Sequence, residues 1–333
     1  MKAIVLPALN HPLQIEEVAL PEISQNEVLV KIKAAAFNHR DVWIQKGQYG
    51  GIRFPVILGS DGSGIVEKVF DTENEKWIGK EVLINPSMNW GNNPRVQSKE
   101  YVILGTPVDG TFAEYVKVEA RLLHNKPEHL NFEQAAALPL AGLTAWRATM
   151  TRAAVKNGEN VLITGIGGGV ALLCMQFAIA AGCHVYVTSG SDEKIECAVK
   201  MGVKAGVNYK KANWDKELKN LSAGFDAIVD SSGGETFSKL VDIAKPSCRI
   251  AMYGATLGEF NSGIPAKIFW KQLDILGSTM GNDDEFVNMI NFVNTHKIIP
   301  VVDSVYSFNQ AQSALEKMSK GEQFGKIILA VDL

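Results

Sequence analysis

The feature that most constrains the fold is the run Val161-Leu162-Ile163-Thr164-Gly165-Ile166-Gly167-Gly168-Gly169-Val170-Ala171. It reads as a strand, a glycine turn and the start of a helix. Glycines let the backbone turn tightly, and the first turn of a helix offers free N–H groups to an anion. Strand-like segments then recur at Asn160–Thr164, His184–Thr188, Ala205–Asn208, Phe225–Asp230, Arg249–Tyr253 and Asp274–Gly277. Helix-like segments fall between them, among them Val170–Ala181, Asp192–Met201 and Trp214–Leu221. Strands alternating with helices predict an α/β, Rossmann-type doubly wound parallel sheet. A glycine cluster alone is a weak signal. In this strand-turn-helix context it predicts dinucleotide binding, with the glycines letting the backbone approach a pyrophosphate and Ala171 at the third small position.

The tip of the second strand decides which dinucleotide. An NAD site places Asp or Glu there to bind the ribose 2′-hydroxyl. Here the strand ends Thr188-Ser189-Gly190-Ser191, without a carboxylate. Asp192 follows, where an acid suits the helix dipole. Ser189, Ser191 and Lys194 offer donors and positive charge for a 2′-phosphate. The expectation is NADP(H).

The first 120 residues read differently. Glu27 to Ala35 alternates, with Val28, Val30 and Ile32 on one face. The glycine-rich stretch Gly59–Gly64 reads as a turn leading into Ile65–Val69, and Lys80–Ile84 and Thr111–Val118 look like two more strands. Short strands broken by Pro and Gly suggest an antiparallel barrel-like domain. The polar stretch Asn85–Lys99 reads as a loop. Asn131-Phe132-Glu133-Gln134 looks like a capping box that opens a helix running to Pro139. A helix over Asp284–His296 and a strand over Lys326–Val331 close the chain. At 333 residues, about 150 per domain predicts two domains.

Composition narrows the function class. A net charge of -3, without a basic block, argues against nucleic acid or an anionic membrane surface as the partner. No apolar run is long enough to span a bilayer, and the N-terminus does not resemble a signal peptide. The four cysteines, Cys174, Cys183, Cys197 and Cys248, never stand at Cys-x-x-Cys spacing. They read as reduced thiols of a cytoplasmic protein, not as a zinc ribbon or disulfide scaffold.

Several ordered motifs together carry a resemblance. They are Ala34-Ala35-Ala36-Phe37-Asn38-His39-Arg40-Asp41, Leu58-Gly59-Ser60-Asp61-Gly62-Ser63-Gly64, Asp109-Gly110-Thr111-Phe112-Ala113-Glu114-Tyr115, the run Ala135–Ala145, the glycine turn and Phe324-Gly325-Lys326. Over essentially its whole length the chain resembles the medium-chain dehydrogenase/reductase superfamily, and within it the zinc-independent quinone oxidoreductase-like branch. The stretch Asn38-His39-x-Asp41-x-Trp43 also looks like zinc-type relatives called alcohol dehydrogenases. The resemblance implies a GroES-like β-barrel catalytic domain over 1–123, a Rossmann NADP-binding domain over 124–282 with a cleft between them, and a return to the catalytic domain over 283–333.

The zinc members of that family carry a Cys where Asn38 stands and Gly-His-Glu where Gly59-Ser60-Asp61 stands, with a third ligand near Leu140. Those positions here lack the Cys and His that zinc prefers, and Asn85–Lys99 lacks the four structural cysteines. The expectation is therefore no bound metal. His39 and Asp61 remain competent ligand types.

Without a Lewis acid, oxidising an unactivated alcohol is hard. Reducing a quinone or an α,β-unsaturated carbonyl needs only hydrogen-bond donors at the distant oxygen, a proton and a dry, well-ordered site. The resemblance puts Asn38 beside the nicotinamide as that donor and gives Asp41 an organising role. Tyr49, with Trp43, would line the substrate wall, and Thr144 would contact the nicotinamide ribose. It also assigns Gly168, Gly169 and Val170 to the pyrophosphate, Tyr209 to the border of the 2′-phosphate, Gly254 and Ser278 to the nicotinamide half, and Gly165 and Lys326 to the cofactor. Two other readings stay open: an alcohol dehydrogenase-like enzyme acting on an alcohol or aldehyde, and a non-catalytic NADPH-binding protein, because a fold alone does not prove turnover. Relatives pair the last cofactor-domain strand across a two-fold axis, which predicts a homodimer through Asp274–Gly281. The alternative is a monomer with that edge covered.

Overall fold

The computed structural model describes residues 1–260 and 265–331. The chain forms two compact units, one of Met1–Leu143 with Gly281–Leu333 and one of Thr144–Met280. The divisions at 143/144 and 280/281 differ from the expected 123/124 and 282/283. Residues 124–143 are tied to the barrel sheet: Ser63 Oγ donates to Phe132 O at 2.6 Å, and Leu140 N donates to Asp61 Oδ1 at 2.7 Å.

The first unit is built on a curved sheet in the order Leu123–Asn125, Glu81–Ile84, Asp61–Val69, Glu27–Ala36, Lys326–Ala330, Val302–Ser307, with Tyr115–Glu119 also paired to Glu27–Ala36. A smaller sheet joins Gln14–Glu17, Lys2–Leu6 and Val56–Ile57. Between them lies an apolar core that includes Phe37, Phe112, Ile32 and Ile84, all essentially without solvent contact. The strand expected to begin at Ile65 begins at Asp61, so Gly62 and Gly64 are strand residues and not a turn. A Cβ at Gly64 would stand 2.1 Å from Lys31 O; glycine is there to let two backbones approach.

Two elements near the C-terminus have no counterpart among the segments expected from the sequence. Strand Val302–Ser307 runs parallel to Lys326–Ala330, and helix Ala311–Lys320 buries Ala311, Ala314, Leu315 and Met318. That spacing is helical and was legible. The strand is short and interrupted by Asp303 and Ser304, which hides its period. The expected loop Asn85–Lys99 is also more ordered than its composition suggests. Ser87–Met88 pairs with Val102–Ile103, Ser98 closes the excursion onto Asn89 O and Trp90 O, and Trp90 packs edge-on against Tyr101. The Asn131–Gln134 capping box forms, with both reciprocal bonds present.

The second unit holds a six-stranded sheet in the order Ala205–Asn208, His184–Ser189, Asn160–Ile163, Phe225–Asp230, Ala244–Met252, Asp274–Gly277. All five pairings are parallel. This is the 3-2-1-4-5-6 order of a Rossmann sheet. Its strands are the six expected ones, with Ala244–Met252 starting earlier than Arg249. Helices Phe237–Ile243 and Pro265–Lys271 add to the expected set. Among the described residues, no helix is long and apolar enough to cross a membrane.

Candidate functional sites in the two units

In the first unit, strand Glu27–Ala36 delivers Phe37 and Asn38 to the start of helix His39–Gln45. The backbone N–H of Asn38 donates to Asp41 Oδ2 at 2.8 Å, so Asp41 holds the helix start from inside. The Asn38 side chain turns the other way. Its Nδ2 donates to Asp61 Oδ2 at 2.9 Å, and its Oδ1 accepts from Lys326 Nζ at 2.6 Å. Lys326 Nζ also donates to Phe37 O at 2.7 Å and Asp61 Oδ2 at 2.9 Å. An ammonium has three protons, and these three acceptors account for all of them. The pair is dry, with 4% and 0% side-chain exposure for Lys326 and Asp61.

Arg40, also buried, donates to Ser60 Oγ, to Leu104 O at 2.7 Å and to Thr106 O at 3.4 Å. Its guanidinium lies 4.9 Å above the half-buried ring of Tyr49. Asn38, Asp41, Tyr49 and Lys326 therefore converge around one helix start. His39 and Trp43 are exposed on the same helix, their rings 6.2 Å apart.

Burial pushes the Asp41 carboxyl up to about 6, against the opposing pull of Arg40, the Asn38 N–H and Lys326. The folded chain thus binds this proton more tightly than the unfolded chain does. Between about pH 4 and 6 it holds more protons, so stability falls as pH rises through that window. The loss is about 3 kcal/mol by pH 7 for a shift of this size. Asp41→Asn keeps an oxygen for the Asn38 N–H and removes the charge. It is expected to flatten this part of the stability–pH curve and to be more stable than the parent at neutral pH. Urea titrations at pH 4, 5, 6 and 7 check this; parallel curves for the two proteins would contradict it.

The metal positions implied by the resemblance do come together: Asn38 and the N–H of Leu140 both bond to Asp61, and Ser60 directly precedes it. The residues do not fit a zinc ion. Ser60 Oγ donates to Leu104 O and accepts from Arg40, and both Asp61 oxygens already accept from Leu140, Asn38 and Lys326. A cation entering here would meet an ammonium already in place. Among the described residues, no group of three or more His, Cys, Asp or Glu could hold a metal ion.

In the second unit, Gly165 and Gly167 take positive φ, 68° and 130°, and Gly168 caps helix Gly169–Ala180. The N–H groups of Gly169, Val170 and Ala171 have no intrahelical acceptor. A Cβ at Gly168 would meet nothing within 4 Å, whereas one at Gly167 would meet Lys194 Cδ at 2.8 Å. Open space before a helix start, bordered by a lysine, fits a pyrophosphate.

Ser189 donates to Ile166 O at 3.1 Å, pinning the turn to the second strand. Ser191 caps helix Asp192–Lys200 by accepting from Lys194 N. Asp192 is paired with Lys211 at 3.0 Å and Asn208 at 3.2 Å, which hold its carboxyl below the usual range. Tyr209 is exposed, and a Cβ on Gly190 would touch its hydroxyl and the Lys210 side chain. The tip of the second strand is thus ringed by Lys194, Tyr209, Lys210 and the Lys211–Asp192 pair.

At the other end of the same sheet edge, Gly254 passes so close to Ser231 that a Cβ would meet its carbonyl at 2.7 Å. Ser278 Oγ is buried without a partner, and the Thr144 hydroxyl lies 3.5 Å from Met280 Sδ. Sequence reasoning missed Thr164 and Asp230. Thr164 Oγ1 donates to buried Asp230 Oδ1 at 2.6 Å, and Asp230 Oδ2 accepts from Gly233 N at 2.9 Å. A second acid at the end of the strand Phe225–Asp230, after the apolar run Ala227–Val229, was the available signal. It also missed Asp61 as the partner of Lys326; the signal was a lysine opening the apolar strand Lys326–Ala330.

Residues 24–128 match the alcohol dehydrogenase GroES-like domain family, and residues 169–295 match the zinc-binding dehydrogenase family. A zinc-type alcohol dehydrogenase-like protein of Leptosphaeria maculans is 36% identical over 96% of this chain and 95% of its own length. One from Schizosaccharomyces pombe is 34% identical over the same shares. A crystal structure described as an NAD-dependent alcohol dehydrogenase superposes with a TM-score of 0.91 at 34% identity, covering 100% of both chains. The chain therefore belongs to the medium-chain dehydrogenase/reductase superfamily and is one of its oxidoreductases.

Proposed function

We propose that the protein is an NADPH-dependent reductase of quinones or α,β-unsaturated carbonyl compounds that works without a metal. The observation that carries this reading is the Lys326 ammonium seated between Asn38 and Asp61, among the residues that match the family's zinc ligands. When bound, the nicotinamide supplies a hydride. What remains for the protein is to bind and orient, to offer a hydrogen bond to the oxygen that gains charge, and to keep the site dry. The Asn38 amide is the donor of that bond. Asp41 fixes its backbone, and Arg40 stacked on Tyr49 stiffens the wall beside it. The turn Gly165–Val170 holds the pyrophosphate, while Lys194 and Tyr209 border the 2′-phosphate. Gly254, Ser278 and Thr144 border the nicotinamide half.

The test is NADPH against NADH oxidation over a panel of quinones, enones and aldehydes, with metal content measured on the same sample. Turnover of quinones or enones with far less than one zinc per chain supports the reading. Alcohol oxidation that needs about one zinc per chain would replace it with the chemistry named for the Leptosphaeria and Schizosaccharomyces relatives. Tight NADPH binding with no turnover of any acceptor would make the protein a non-catalytic binder.

The same reading includes a homodimer. Strand Asp274–Gly277 ends the second unit's sheet, paired on one side only among the described residues. Ile275 is exposed, and the preceding helix shows Phe269 and Trp270 at 61% and 84% exposure. An unpaired edge beside large apolar side chains invites pairing with a second copy. Light scattering is expected to return twice 36.2 kDa. Leu276→Pro, which places a ring where strands would pair, is expected to return single chains. A single-chain mass for the parent protein would reject the dimer.

A further inference from the structure

We infer that Lys326 is a positioning residue that stands in for the missing metal indirectly: it clamps and polarises the Asn38 amide so that one N–H of that amide faces the reacting oxygen. This rests on the reading of the site as a metal-free reductase.

The flip of Asn38 is fixed by its neighbours. The carboxylate of Asp61 accepts only, so it must face Nδ2, and the ammonium of Lys326 donates only, so it must face Oδ1. Their distances are 2.9 and 2.6 Å. Nδ2 has two protons. One goes to Asp61. Among the described residues, the acceptor for the other is Ala36 O, at 3.5 Å, the outer limit of a useful bond. That proton is the one able to serve a ligand, and Asn38 keeps a 7% exposed surface.

A positive charge on the amide oxygen draws electron density from nitrogen and strengthens its N–H as a donor, an effect enlarged where water is excluded. Lys326 cannot act on a substrate or phosphate itself without giving up Phe37 O, Asn38 Oδ1 or Asp61 Oδ2. Asp61 completes the clamp: it neutralises the ammonium and stops the amide from rotating. As electron density moves onto the acceptor's oxygen, this oriented N–H stabilises it, and water then delivers the proton.

Lys326→Met alone leaves Asp61 buried and uncompensated, so the decisive variant is Lys326→Met with Asp61→Asn, which removes both charges at similar volume. With a quinone or enone acceptor it is expected to lower kcat about ten- to a hundredfold, short of losing the donor entirely, with the KM for NADPH changed less than about threefold. Lys326→Arg is expected to recover part of kcat. A rise in the KM for NADPH at constant kcat would instead show Lys326 serving the cofactor and would overturn the inference, as would an unchanged kcat.

A second readout does not depend on turnover. In protein labelled with ¹⁵N-asparagine, the Asn38 side-chain amide, assigned by its loss in Asn38→Ala, is expected to show two widely separated, slowly exchanging protons. In the double variant they are expected to move together and exchange faster. If the parent protein turns over nothing but this signal behaves as expected, the reductase reading fails and the clamp stands. If the protein turns over and the signal is the same in both, the clamp fails and the reading stands.

Discussion

Asp61→Ala is expected to lower the stability of the first unit by about 3–5 kcal/mol, because it breaks a buried pair from one side. The carboxylate receives the Lys326 ammonium, the Asn38 amide and the Leu140 N–H. Alanine leaves all three donors without that acceptor, and one of them is a charge with 4% exposure. A charge stranded in a dry site costs more than the pair was worth while intact. Asp61→Asn with Lys326→Met is expected to recover most of the loss, since neither partner is then charged. Urea unfolding of the parent protein, Asp61→Ala, Asp61→Asn, Lys326→Met and the double variant measures the loss and closes the cycle between the last two single changes. A loss under about 1 kcal/mol for Asp61→Ala would mean that water reaches Lys326 and that the site is wetter than described.

Lys194→Ala is expected to weaken NADPH about ten- to a hundredfold and NADH hardly at all, the size of one charge-assisted contact to phosphate. Lys194 lies against Gly167, so it borders the glycine turn and the tip of the second strand together. The first carboxylate after that tip, Asp192, is engaged by Lys211 and Asn208 and is poorly placed to receive a ribose hydroxyl. The serines do other work: Ser189 ties down the turn and Ser191 caps a helix. Their removal is therefore expected to disturb both cofactors alike, and Lys194 is the residue that separates them. Fluorescence titration of both cofactors on both proteins decides. Equal weakening of NADPH and NADH would assign Lys194 to the pyrophosphate.

The Rossmann unit was legible in the sequence because its information is local. Most strands are short apolar runs, helices Asp192–Lys200 and Trp214–Ser222 are amphipathic, and the glycines at 165 and 167 are needed for positive φ that other residues resist. The barrel was legible only in outline. Gly62 and Gly64 looked like a turn because glycine marks both turns and close backbone approaches, and only the Lys31 carbonyl at 2.1 Å from a would-be Cβ tells them apart. Helix Ala311–Lys320 could have been read from its spacing, whereas Val302–Ser307 takes its strand form from a neighbour.

By itself, then, the sequence determined the two architectures, the glycine turn ahead of helix Gly169–Ala180 and the absence of zinc-type ligands at Asn38, Ser60 and Leu140. What it could not determine is what stands in that place. Lys326 lies 265 residues from Asp61 and 288 from Asn38, and no local pattern links them. The antiparallel pairing of Lys326–Ala330 with Glu27–Ala36 brings the strand's first residue beside Phe37 and Asn38. Only that pairing decided that a lysine would be buried, that its three protons would be spent on Phe37, Asn38 and Asp61, and that the Asn38 amide would have a single orientation. A charge is stable out of water only where distant partners meet it together, and that meeting is a property of the tertiary structure.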